Sequence, residues 1–362
     1  MLLFTLSCFE LNIAISPSSK KALSLFVYVF LVLQMGLRWE TGTDWDNYLQ
    51  HFQITDSFSL VPSTTTSPEL GYNTAVWLIK LVFSSYSSFL VIHAAVYYYL
   101  VFNSIKRYTE ILFLPLMLFY CVTIGFEGSN RELIAVAIGL YAFRYIYDGK
   151  LTYYYLLAVL ACMFHYSAIL LFLIPLFNQK LRPGTVFTLL TCSIAFGVSQ
   201  LPQWVFSTVS NMIGGAAVVK AVYYLGNTSD SLLDSGLSIA GLVKRLVLLT
   251  LFYYNRRALS EKLGYYNIML NAYTAGVVLY FLFANSLLVI VNRGDLYFNV
   301  LEPLLLASQV YLITQRSSKL IAATVLCVLS FIFFFQSISP FYDLFMPYSG
   351  LVINRGYYRT VH

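Results

Sequence analysis

Charge is what this sequence has least of. Only 10% of its 362 residues are Asp, Glu, Lys or Arg, whereas 59% are hydrophobic. A soluble domain carries about 25% charged residues, so a chain of this size has too little polar surface to cover a water-facing exterior. No stretch is polar enough to be a separate soluble domain. Cysteine is equally sparse, and Cys8, Cys121, Cys162, Cys192 and Cys327 sit apart in apolar runs. Neither a disulfide framework nor metal-ligand spacing follows from them, and they read as small buried hydrophobes. Gly-rich phosphate loops, H-E-x-x-H and G-x-S-x-G are all missing. The net charge of +6 forms no basic block, which excludes nucleic acid as a partner.

What remains is a succession of apolar runs in a bilayer. A spanning helix needs about 20 mostly apolar residues, and the alternation of a β-barrel is absent. Candidate spans lie near 2–17, 22–37, 85–104, 110–126, 132–147, 151–164, 166–178, 185–201, 237–254, 266–290, 296–314 and 319–337. The expected fold is all-α: one polytopic integral membrane domain, 1–362, with about 11–12 transmembrane helices. Thirty Tyr and 29 Phe fit the boundary layers, where a ring meets lipid and a hydroxyl meets water. Lys20/Lys21, Lys106/Arg107, Lys150, Lys180/Arg182, Arg256/Arg257/Lys262 and Arg316/Lys319 share one side if 151–178 is a hairpin broken near His165. By the positive-inside rule that side is cytoplasmic. Loops 38–70 and 202–236 and the tail 338–362 then face outward, and chemistry is expected there.

Five cations break the orientation rule: Arg38, Arg131, Lys244, Arg245 and Arg293 fall at the outer ends of spans. Charge in the membrane zone is costly and faces a cavity or a partner. Glu40 and Asp44 lie near Arg38, Glu127 and Glu132 near Arg131, and Asp295 near Arg293, so local ion pairing is one reading. The other is a shared anion, because a guanidinium grips phosphate with two parallel donors. A lipid diphosphate sits at this depth. His165 breaks two apolar stretches at the same level. It is a candidate proton acceptor or phosphate donor, or else a hydrogen-bonded structural residue. His51 and His93 show no comparable setting.

Several segments in order resemble a known family. Arg38-Trp39-Glu40-Thr41-Gly42-Thr43-Asp44 with Tyr48, then Glu69-Leu70-Gly71-Tyr72, look like the first outer loop of Wzy-type polysaccharide polymerases of the EpsG-like branch. Asn130-Arg131-Glu132-Leu133-Ile134-Ala135 is similar to that family's Arg-x-x-Ile-Ala helix start, with Glu132 where Gln is common. Phe164-His165-Tyr166-Ser167-Ala168 matches its Phe-His-x-Ser-Ala element, and Arg293 with Tyr297-Phe298 and Pro347-Tyr348 also fit.

The resemblance implies a metal- and cofactor-independent glycosyltransferase, an O-antigen-like polymerase of a bacterial inner membrane. The growing glycan would leave undecaprenyl diphosphate for a new lipid-linked repeat unit at the periplasmic face. Its partners would be those lipid-linked oligosaccharides and the bilayer, with a chain-length regulator protein as a further candidate. Arg131 and a base, His165 or Asp44, are the expected catalytic residues. Arg38, Arg293, Arg245, Glu69 and Tyr48 are expected to bind substrate, Glu69 either orienting a sugar hydroxyl or anchoring an arginine. Gly42 is read as a tight turn near the ligand or an ordinary loop glycine. The rival readings are a flippase of the same lipid-linked unit, a membrane O-acyltransferase, and a ligase that differs only in its acceptor.

Overall fold

Apolar runs bounded by Pro, Ser and charged residues become helices in the computed structural model, which describes residues 1–13, 15–55, 69–213, 239–284 and 293–354. Among these residues there is no strand, and one isolated bridge pairs Arg38 with Gly350. The all-α class is as expected. Four helices are long and apolar enough to cross a membrane: Pro17–Gly36, Tyr86–Tyr108, Tyr266–Phe283 and the one starting at Arg316. A fifth crossing is added if the pair Pro183–Gly197 and Leu201–Met212, bent by 77°, is one broken span. Shorter apolar helices occupy Leu2–Asn12, Phe113–Phe126, Leu151–Phe164 and Tyr166–Phe177. The protein is a multi-pass membrane protein. The expected outer segments at 56–68, 214–236 and 355–362 lie outside the described residues, as does the end of the 266–290 run.

The chain divides into two compact units. The first comprises Met1–Ile169 and Leu306–His362. It holds α1 (Leu2–Asn12), α2 (Pro17–Gly36), α3 (Trp45–Ile54), α4 (Leu70–Lys80), α5 (Tyr86–Tyr108), α6 (Phe113–Thr123), α7 (Asn130–Tyr147), α8 (Leu151–Phe164) and the long helix Arg316–Ile338. Pro17 opens α2, and the Ser16 side chain accepts from the Ser19 N–H, the usual way of satisfying a first-turn donor. The start of α6 is capped from elsewhere. Glu10 of α1 accepts from the Leu112 and Phe113 N–H groups at 2.8 Å and pairs with Lys20 at 2.7 Å. At the same end Tyr311 Oη accepts from the Glu110 and Ile111 N–H groups.

At the opposite end, the loop after α2 is clamped between two others. Trp39 N donates to Ser349 O and Gly42 N to Leu344 O. Gly42 has φ +98°, and a Cβ there would lie 1.8 Å from Glu127 O; at Gly128, φ +135°, one would lie 2.2 Å from Thr43 O. Gly42 therefore makes a tight turn against the Glu127 backbone. Part of the expected outer loop 38–70 is the helix α3. Its Trp45, Tyr48 and Phe52 pack with Tyr72, Val76, Tyr86, Phe89 and Leu90 in one aromatic core.

The second unit, Leu170–Leu305, contains α9 (Pro183–Gly197), α10 (Leu201–Ile213), α11 (Ile239–Tyr254), α12 (Arg256–Lys262) and α13 (Tyr266–Phe283). The expected outer loop at 202–236 thus begins as helix. Arg256, at the start of α12, ties α12 to α13 and to the chain before α9, donating to Asn267 Oδ1 at 2.7 Å and Leu181 O at 2.5 Å.

Candidate active site

In the first unit the site is built around Arg131. Helix α7 begins at Asn130, so Arg131 projects from a first turn, where unpaired N–H groups and the dipole favour an anion. Its Nε donates to Tyr48 Oη at 3.0 Å, and Nη1 to Glu69 Oε2 at 2.7 Å. Tyr48 comes from α3, and Glu69 directly precedes α4. Of the two roles expected for Glu69, the geometry shows the arginine anchor. The adjacent carboxylates Glu127 and Glu132 are not what pairs with Arg131. Its side chain stays 27% exposed beside a Glu69 that is only 6% exposed. Two hydrogen bonds fix the guanidinium, which stays partly exposed.

The His165 segment joins this cluster through its backbone. The α-helix ends at Phe164, His165 is extended, and a 3-10 helix follows from Tyr166, so the break falls where it was expected. Tyr166 N donates to Glu69 Oε1 at 3.3 Å. Buried His165 places Nδ1 2.5 Å from Ser167 Oγ. Close approach of α4 to α8 makes this possible, since a Cβ on Gly71 would meet Met163 O at 2.7 Å.

Two groups have settings that the sequence did not reveal. His51 lies one turn after Tyr48, with its ring 5.9 Å from that of Tyr72. Burial lowers its pKa, Asn73 offsets this by a hydrogen bond, and the Arg131 charge lowers it further. His51 therefore does belong to the Arg131 neighbourhood, contrary to expectation. Only the i, i+3 spacing from Tyr48 could have signalled this. The other is Glu127, which accepts from Gln34 Nε2 at 3.2 Å. Burial pushes its carboxyl up to about 7, despite the downward pull of Arg38 and Gln34.

Arg38 is fully buried. Its Nη1 donates to Met35 O and Nη2 to Asn130 Oδ1, both at 2.6 Å, and its guanidinium lies over Trp45. Asn130 O also bonds His93 Nε2 at 2.8 Å. Arg38 and His93 thus set the start of α7 and hold Arg131 in place indirectly. Asp44, exposed at φ 55° before α3, makes no side-chain cap. It lies near enough to Tyr48 that its charge adds to the dominant effect of burial in raising that phenol's pKa.

In the second unit Arg245 lies 3.5 Å from Asp295 Oδ2 and stacks 3.5 Å above the Tyr280 ring. Lys244 pairs with Glu302 at 2.8 Å, and Tyr273 Oη donates to the same carboxylate. Asp295 thus serves Arg245, whereas Arg293 is exposed. Burial raises Asp295 to about 6, with Arg245 opposing. Arg38, Tyr48, Glu69, Arg131 and His165 belong to the first unit, together with Asp44; Arg245 and Arg293 belong to the second.

A family model described as the EpsG family matches residues 21–349. No curated protein and no solved structure matches the chain.

Proposed function

The chain belongs to the EpsG family, and from that premise we propose that it is a glycosyltransferase-type polysaccharide polymerase acting on lipid-diphosphate-linked repeat units. In this reading the glycan's anomeric carbon leaves its lipid diphosphate and bonds to a hydroxyl of the incoming unit. Charge builds on the departing diphosphate, and the attacking hydroxyl loses a proton. The observation that carries the reading is the Arg131 guanidinium, held at Nε by Tyr48 and at Nη1 by Glu69 while its side chain stays partly exposed. Such a fixed donor stabilises developing phosphate charge without reorganising during the reaction. Glu69 and Tyr48 are positioning residues. His165, whose Nδ1 hydrogen-bonds Ser167 Oγ, is the base that takes the hydroxyl proton. Exposed Asp44 is the rival base. Arg293 and Arg245 are substrate contacts of the second unit, and the reaction runs at the periplasmic face of the inner membrane.

The test is a reconstituted assay with purified protein and lipid-diphosphate repeat units, read by glycan length without added metal. Arg131→Ala is expected to lower elongation by about 100-fold or more at wild-type membrane level. Long glycans at the normal rate from that variant would end the proposal. Deleting the protein should leave single repeat units on the outer face; units trapped inside would indicate a flippase instead.

A further inference from the structure

A cavity of about 320 Å³ opens among α1, α2, α6 and the long helix Arg316–Ile338, all in the first unit. Its lining includes Phe30, Met117, Tyr120, Cys327, Phe331 and Phe335 and is almost wholly apolar. Ser330, one of its few polar groups, already donates to Leu326 O. Its volume is about twice that of an apolar cavity able to take benzene, and falls at the small end of ligand sites. No lining side chain is a carboxylate, ammonium or guanidinium, and the one charged group there is the Met1 α-amino group, so the walls suit a hydrocarbon.

Depth and mouth identify which hydrocarbon. The helices share a charged end, where Lys20 donates to Glu110 O and Glu10 caps α6. The lining residues of α2, α6 and the long helix, apart from Met117 and Cys327 near mid-helix, lie in the half remote from that end. That half leads to Arg38 and, through Asn130, to Arg131. Phe30, Phe331 and Phe335 are about half exposed, and on membrane-crossing helices those faces meet lipid. The slot is therefore entered sideways from the bilayer, in the half of the membrane that ends at the Arg131 level. We propose that it holds the branched tail of the polyprenyl diphosphate whose headgroup Arg131 binds, an assignment that rests on the reading of Arg131 above. The tail of such a lipid must run inward from the boundary on that side. Aromatic walls and the unbranched Met117 adapt to a methyl-branched chain.

The experiment uses the full chain in nanodiscs and a polyprenyl diphosphate bearing a diazirine on its tail. Irradiation should label peptides containing Met117–Cys121 and Cys327–Phe335, and unlabelled polyprenyl diphosphate, but not phosphatidylglycerol, should compete. Cys327→Phe narrows the slot and should cut labelling at least fivefold. Should that variant fold poorly, the competition on wild-type protein decides alone. Label confined to other helices, or equal competition by the phospholipid, overturns the proposal. The readout is binding, so it is independent of polymerisation: an inactive protein can still label in the slot, and an active one can fail to.

Discussion

At the scale of single residues, the buried charges each have their own neighbour. Glu127 is the clearest case for a pH effect. Burial lifts it from its ordinary 4.5 to about 7, so between those values the folded state keeps a proton that the unfolded state has lost. Stability should fall as pH rises through that window, by on the order of 3 kcal/mol. It should then level off above 7. Melting curves of purified protein between pH 4 and 8 should show this decline, and Glu127→Gln should remove its part above about pH 6, leaving the part that Asp295 contributes below it. An unchanged pH profile in that variant would place the titration elsewhere. Gly42→Ala should be severe, because a Cβ would strike Glu127 O at 1.8 Å and φ is +98°. A loss of roughly 3 kcal/mol or more follows from backbone displacement and strain, measurable as a lowered Tm or absent folded protein.

At the scale of elements, helix ends carry the long-range connections. Glu10 caps α6 from α1, so Glu10→Ala leaves the Leu112 and Phe113 N–H groups and Lys20 without it. Roughly 2 kcal/mol should be lost, read as a lower midpoint in denaturant, whereas Glu10→Gln, which retains an acceptor oxygen, should lose less. The start of α7 is set similarly by Arg38 and His93 acting on Asn130. Helix positions and the break at His165 were legible, because apolar run length and Pro or Ser boundaries act locally. The partners were not. Arg131 and Glu69 are 62 residues apart, Arg38 and Asn130 are 92, and Gln34 and Glu127 are 93. Proximity in sequence suggested Glu127 or Glu132 for Arg131 and Asp295 for Arg293, and the helix ends instead bring up Glu69 and Arg245.

At the scale of the whole molecule, orientation follows from the basic residues that remain exposed between helices. Lys150 is exposed on one side of the proposed arrangement, and Asn354 lies in the tail beyond the other. In a background without native cysteines, Asn354→Cys should react with an impermeant thiol reagent on intact cells, and Lys150→Cys only after permeabilisation. The reverse pattern would invert the positive-inside assignment.

The amino-acid sequence alone determined the solvent, the helical class and the ordered motifs, since bilayer insertion depends on composition summed over consecutive residues. Only the tertiary structure decided what each polar group does in it. A cation in a low-dielectric setting takes whichever oxygen packing brings within reach, so Arg38 became a buried brace, Arg245 took Asp295, and Arg131 bonds Tyr48 and Glu69 while staying partly exposed.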